Sequence, residues 1–325
     1  MKENALVLIV ILICSILFFS GCSDSIDKSD LENKIVPKQG VWGIYKLDLE
    51  NEETSLIYSS SYELEGLNVD KSNKYFVFCQ KIDGNDNEHR EICSLNLDGS
   101  GFRRLTNNSY WDLYPVWSPD GTKIAFLSFR DDNLDIYCMD ADGSNQELVF
   151  DSGFHDADID WENGKIAFTS NSSICLINEN GTSLVQITYP PKQGQWGSAN
   201  LPFGDYDPRI SPDGKEIIFS RLEDDESVHG NYNFFKISIN GTGKTRLTNT
   251  SYSQGLTSWS YSGERIVFVV SAINDVGKYD IYMMDSDGKN YRNVTPEYFP
   301  DDFLCRSVIF SNDDSVLFFI GQWWE

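Results

Sequence analysis

The sequence predicts an all-β protein: a six-bladed β-propeller of four-stranded blades, its ring closed by N-terminal strands that pair with a C-terminal half-blade. Three observations carry the prediction. An apolar triplet recurs behind a turn. An apolar pair and a second turn follow each triplet. The chain also begins with the half-copy that its last copy lacks. Composition agrees: 325 residues at 40% hydrophobic and 14% aromatic can bury a large core. The abundant Phe, Tyr and Trp suit strands, and 24 Gly supply turns.

Residues 1–22, MKENALVLIVILICSILFFSGC, stand apart from that pattern. Lys2 precedes an apolar run from Ala5 to Phe19, short for a membrane span and fitting a signal peptide. The run ends in Phe19-Ser20-Gly21-Cys22, which resembles the prokaryotic lipobox, with Cys22 as the lipidated residue. The expectation is a lipoprotein held by its lipid alone at an extracytoplasmic membrane face, in the periplasm or on the cell surface. An ordinary cleaved signal or an uncleaved anchor is the alternative. Residues 23–39 are polar and aperiodic and read as a flexible tether.

Residues 40–325 form the repeat region. Val41–Tyr58 contains Ile44-Tyr45, which matches the third strand of a copy, with DLENEE in place of the following turn. With Ile124-Ala125-Phe126 as register, the triplet recurs at Phe76-Val77-Phe78, Ile166-Ala167-Phe168, Ile217-Ile218-Phe219, Ile266-Val267-Phe268 and Leu317-Phe318-Phe319, at intervals of 42–51 residues. Turns such as WSPDG at Trp117–Gly121 and ISPDG at Ile210–Gly214 precede it. The apolar pair follows at Ile92-Cys93, Ile136-Tyr137, Ile174-Cys175, Phe234-Phe235 and Ile281-Tyr282, each running into a turn and a short β-like segment. Each unit therefore holds strands a, b, c and d. The last copy stops after two strands, so the sixth blade is split between residues 40–59 and 303–325.

These units resemble the PD40, or WD40-like, repeats of the TolB family of propellers over about residues 40–325, most strongly at the two SPDG copies. The resemblance implies a non-enzymatic cell-envelope scaffold for protein–protein interaction. TolB-type proteins carry an α/β domain before the propeller, and residues 23–39 are too few for one, so a role outside the Tol system is expected. Dipeptidyl-peptidase relatives carry a hydrolase domain after the propeller, whereas this sequence ends within the last blade and none is expected.

Charge narrows the partners. The net charge of −24 disfavours nucleic acid and suits a basic partner or a cation. Acids recur in the loops between strand d and the next strand a, which converge on one face: Glu63, Glu65, Asp112, Asp156, Asp158, Asp205, Asp207, Asp301 and Asp302. Asp112, Asp156, Asp158, Asp205, Asp207 and Asp301 could form an acidic ring for a metal such as Ca²⁺. The alternative is that Asp caps turns ahead of strands. No other cofactor is expected.

The longest such loop, Tyr189–Asp207, carries Trp196, Phe203 and Tyr206. Exposed aromatics among acids suit a protein hot spot or a sugar face. The expected binding residues are Trp111, Asp112, His155, Asp156, Trp196, Phe203, Asp205 and Asp207. The alternatives are a glycan- or polysaccharide-binding propeller and a metal-dependent polysaccharide lyase. The lyase falls short because only His155, of His89, His155 and His229, lies near the mouth. NGTGKT at Asn240–Thr245 aligns with a c–d turn and lacks the βαβ context of a phosphate loop. Cys79, Cys93, Cys138, Cys175 and Cys305 match no zinc spacing and are expected as buried thiols, with a Cys79–Cys93 bridge as the alternative.

Overall fold

A computed structural model of the chain describes residues 40–82, 89–131, 133–196, 201–223, 231–250, 252–271, 279–300 and 302–323. The expected signal peptide, Cys22, the tether, His229 and Asp301 lie outside these residues. Among the described residues every regular element is a strand.

The chain opens with β1 (Trp42–Asp48) and β2 (Thr54–Ser60). Four strands then form one sheet: β3 (Leu64–Val69), β4 (Tyr75–Lys81), β5 (Arg90–Asn96) and β6 (Arg103–Arg104). The next sheet is β7 (Asp112–Trp117), β8 (Lys123–Ser128), β9 (Asp135–Asp140) and β10 (Glu147–Phe150). A third is β11 (Asp156–Glu162), β12 (Lys165–Ser170), β13 (Ser173–Asn178) and β14 (Val185–Gln186). The fourth has five strands: β15 (Gly194–Trp196), β16 (Leu201–Ile210), β17 (Glu216–Glu223), β18 (Asn231–Ser238) and β19 (Thr245–Arg246).

The remaining strands share an eight-stranded sheet with β1 and β2. They are β20 (Ser253–Trp259), β21 (Arg265–Ser271), β22 (Tyr279–Asp285), β23 (Arg292–Asn293), β24 (Phe303–Phe310) and β25 (Val316–Trp323). This sheet is two antiparallel quartets joined at a single parallel register pair, Tyr279 with Leu304. In the second quartet β1 pairs with β25 from Trp42 opposite Gln322 to Asp48 opposite Val316. The first and the last described strands, β1 and β25, are thus paired with each other.

The predicted turns form by side-chain chemistry. In SPDG the Asp120 carboxylate accepts from Ser118 Oγ at 2.7 Å and from the Thr122 backbone N–H at 3.0 Å. In the c–d turn, Gly181 has φ +76°, and a Cβ there would lie 2.1 Å from the carbonyl oxygen of Val149 in the preceding sheet. That turn needs glycine both for its conformation and for contact between sheets. NGTGKT is another such turn, with Asn240 Oδ1 accepting the Thr242 N–H at 3.1 Å.

The triplets form the core. Phe78, Phe126, Phe168, Phe219, Phe268 and Phe319 are all fully buried. Rings also meet edge-on between quartets, with Phe76 4.9 Å from Phe318 and Phe234 5.0 Å from Phe268. The five cysteines are buried free thiols.

Candidate functional site

The strands that open each quartet, β3, β7, β11, β16, β20 and β24, lie side by side, and β24 lies beside β3. They surround a cavity of about 810 Å³. Each holds one residue with φ between 47° and 63°: Gly66 (63°), Tyr114 (48°), Asp158 (53°), Asp207 (55°), Leu256 (55°) and Ser307 (47°). A register shift spans each position. Only one of the six is glycine, so each of the others carries about 1 kcal/mol or more of strain, held by its surroundings.

Those surroundings are hydrogen bonds between neighbouring first strands. Asp158 Oδ2 accepts the Asp207 N–H at 3.2 Å, and Asp207 Oδ2 accepts the Thr257 N–H at 3.1 Å. Asp160 Oδ2 accepts the Ile210 N–H at 2.7 Å, and Asn68 Oδ1 the Trp117 N–H at 3.1 Å. Ser307 Oγ accepts the Gly66 N–H at 3.2 Å. Arg209 pairs with Asp207 at 2.7 Å. Burial pushes Asp158 and Asp160 up to about 6, with nearby Asp207 also raising Asp158. These carboxylates work as braces along the channel wall.

The other predicted acids sit at strand heads. Asp112 is fully buried, its carboxylate taking Ser128 Oγ at 2.5 Å and Asn108 Nδ2 at 2.7 Å. Asp205 is also fully buried and bidentate to Arg221 at 2.5 and 2.7 Å. Asp156 accepts Ser152 Oγ at 2.5 Å, and burial pushes it up to about 7. Glu65 lies 3.2 Å from Arg90, and Asp302 accepts the Trp323 indole N–H at 2.7 Å. Among the described residues the predicted ring therefore divides into buried anchors, Asp112, Asp156 and Asp205, and channel braces, Asp158 and Asp207. Among the described residues no three His, Cys, Asp or Glu side chains gather to hold a metal ion.

The remaining expected residues separate as well. His155 Nδ1 accepts the Leu134 N–H at 3.1 Å, its ring stacks on Phe129, and burial lowers its pKa. Trp111 is half-buried against Phe129, with the Arg90 guanidinium 5.9 Å from its ring centre. The Tyr189–Asp207 segment is not simply a loop, because Gly194–Trp196 pairs with Leu201–Phe203 as a hairpin that lengthens β16. Phe203, Asp205 and Asp207 thus stand on a strand, and Trp196 ends the short strand beside it.

A further series escaped the sequence reading. Four residues before each left-handed position stands an aromatic: Tyr62, Tyr110, Phe154, Phe203, Tyr252 and Phe303. Tyr62, Tyr110, Phe154 and Tyr252 are 39%, 43%, 54% and 40% exposed, and Phe203 is half-buried. Phe303 is buried against Phe299, 4.6 Å between ring centres. Tyr189, in the loop before β15, is 74% exposed, the most open aromatic among the described residues of this face. The signal was a fixed offset from the left-handed position, visible once those positions are aligned.

Repeated four-stranded units around a common cavity define a β-propeller repeat protein. The TolB β-propeller domain family, PD40, matches residues 73–263, and the chain belongs to that family. A protein TolB homolog of Chlorobium luteolum is 29% identical over 162 residues, 48% of this chain and 33% of that relative. The chain thus spans only about a third of the length of that curated relative. The structure of a putative TolB from Agrobacterium tumefaciens superposes with a TM-score of 0.68 at 16% identity, covering 86% of this chain and 97% of that one. TolB from Acinetobacter baumannii gives 0.62 at 17% identity, covering 85% and 68%.

Proposed function

We propose that this chain is a six-bladed propeller, closed by β1 and β2 against β24 and β25, that serves as a non-enzymatic scaffold for an envelope or surface protein. Residues 1–22 are its lipoprotein signal, Cys22 its lipid attachment point and residues 23–39 its tether at an extracytoplasmic membrane face. The partner docks on the loops that enter the first strands. The observation that carries this reading is the series of exposed aromatics those loops present, Tyr62, Tyr110, Phe154, Tyr189 and Tyr252. Tyrosine and phenylalanine anchors spread over several loops suit a protein interface, and the net charge of −24 favours a basic partner. The braced strands beneath supply a rigid base.

The test is crosslinked capture of the full-length protein from its own cells, beside a Tyr110→Ala/Phe154→Ala/Tyr189→Ala variant. One dominant protein recovered with the parent and lost with the variant is the expected result. Equal recovery with both would move the interface off this face. Absence of any enriched protein would remove the scaffold reading.

A further inference from the structure

The turns between the third and fourth strands of five units are built alike, yet they differ in one group. Asp98, Asp142, Asn180, Asn240 and Asp287 each precede a glycine with φ between 76° and 91°. In every case a side-chain oxygen of that residue accepts the backbone N–H two positions on. The distances are 2.9 Å from Ser100, 2.9 Å from Ser144, 3.2 Å from Thr182, 3.1 Å from Thr242 and 3.0 Å from Lys289. Three units meet this need with a carboxylate. The turn therefore requires an acceptor oxygen and no side-chain donor at that position.

Asn180 and Asn240 supply the oxygen and add an amide nitrogen that the turn leaves unused. Oδ1 of each also accepts the hydroxyl of the threonine two residues on, Thr182 at 2.6 Å and Thr242 at 2.7 Å. Among the described residues, Nδ2 of neither asparagine is hydrogen-bonded. Both asparagines and both threonines are exposed. Asn-Gly-Thr is an acceptor sequence for an N-linked glycan, which is bulky and needs a surface position.

The pattern Asn-x-Ser/Thr also occurs at Asn107, Asn171, Asn249 and Asn293, in poorer settings. Ser173, which completes the pattern of Asn171, is buried at the start of β13. Asn293 lies on β23, with Nδ2 donating to Asp280 at 3.2 Å. Asn107 and Asn249 stand three residues before Tyr110 and Tyr252, where a glycan would crowd the proposed docking face. The two Asn-Gly-Thr turns lie at the other end of their sheets. Asn178 is opposite Lys165 and Lys165 opposite Glu162, the last residue of β11, while Ser238 is opposite Glu216.

We propose that Asn180 and Asn240 are N-glycosylated, on the side of the molecule away from the aromatic loops. The inference rests on the extracytoplasmic address proposed above, where a lipid-linked saccharide phosphate serves as donor. Nδ2 bonds to C1 of the saccharide and the C1–O bond to the phosphate breaks. The lipid phosphate leaves with the electron pair, and the amide gives up one proton. Nothing is oxidised or reduced.

The test uses full-length protein purified from its own cells, read by intact mass and by glycopeptide mass spectrometry. The peptides that hold Asn180 and Asn240 should carry added sugar residues. Asn180→Asp and Asn240→Asp reproduce the Asp-Gly turns of the other units. Each should keep the parent Tm and lose one glycan, and the double variant should lose both. Thr182→Lys keeps the asparagine and copies the residue that follows Gly288, and it should lose the Asn180 glycan. Bare asparagines, conversion to aspartate without sugar, glycan confined to the other four patterns, or sugar retained on Asn180 in the Thr182→Lys protein would each overturn the proposal. Cell fractionation reads the address separately. Protein outside the cytoplasm with both asparagines bare defeats the glycan and leaves the envelope reading standing, whereas protein found only in the cytoplasm overturns both.

Discussion

Asp207 Oδ2 accepts the backbone N–H of Thr257 at 3.1 Å, fifty positions further along the chain. The other oxygen of the same carboxylate pairs with Arg209 at 2.7 Å. One side chain thus holds its own left-handed turn and the first strand of the next unit. Asp207→Ala leaves a buried N–H and a guanidinium without their acceptor. It should cost about 2–3 kcal/mol, read as a lower urea midpoint at unchanged slope. Asp207→Asn keeps an acceptor and should cost less. Equal stability of parent and Ala variant would remove the brace from the account.

Asp156 gives the fold a distinct pH response. Its folded pKa of about 7 lies above its ordinary 3.8, because burial outweighs the Ser152 and Ser170 hydrogen bonds. Between those values the folded state holds more protons than the unfolded state, so this group costs stability as pH rises through the window and returns it as pH falls. Tm should therefore climb on going from pH 8 to pH 5. The acidic net charge acts in the same direction, so Asp156→Asn isolates the contribution: the variant should show a shallower slope. A slope identical to that of the parent would count against it.

Gly181→Ala should destabilise by more than about 1 kcal/mol, because the turn is left-handed and the new Cβ would press on Val149 O. Gly153, also left-handed but with open space around the Cβ position, should tolerate Ala better. Chemical denaturation of the two variants side by side makes the comparison. The reverse ranking would show that contact between sheets does not govern the turn.

Removing residues 1–60 deletes β1 and β2 and exposes β25 along its length. The shortened chain should lose a single cooperative transition and associate through the bared edge, seen as non-coincident spectroscopic probes and a larger size in solution. A monomeric product that still unfolds in one step would mean that closure contributes little.

The fold was readable to the extent that its signals were local. Apolar triplets and Asp-Gly turns lie within a few residues of each other, so Ile124-Ala125-Phe126 and SPDG fixed a register that holds throughout the chain. Ile44-Tyr45 likewise marked a strand, and it lies in β1, between β2 and β25. The site was less legible, since an acid before a strand reads the same whether it faces solvent or lies beneath a loop. Only the fold shows Asp205 paired with Arg221 and Asp158 bonded to the next strand. The β15–β16 hairpin was hidden among Pro and Gly residues that read as loop. The left-handed positions carried no composition signal, since five of the six are not glycine.

The pairing of β1 with β25 also fixes where the chain enters the molecule. Gly40 N–H donates to Trp323 O at 2.8 Å, and the Trp323 indole donates to Asp302 in the loop entering β24. Gly40, the first described residue, therefore stands at the same face as the aromatic loops. For the anchored protein we propose, a tether joined at Gly40 keeps the docking face within one tether length of the membrane. Seventeen extended residues at about 3.5 Å each set an upper limit of about 60 Å on that gap. Lengthening the tether should widen the range of partners captured.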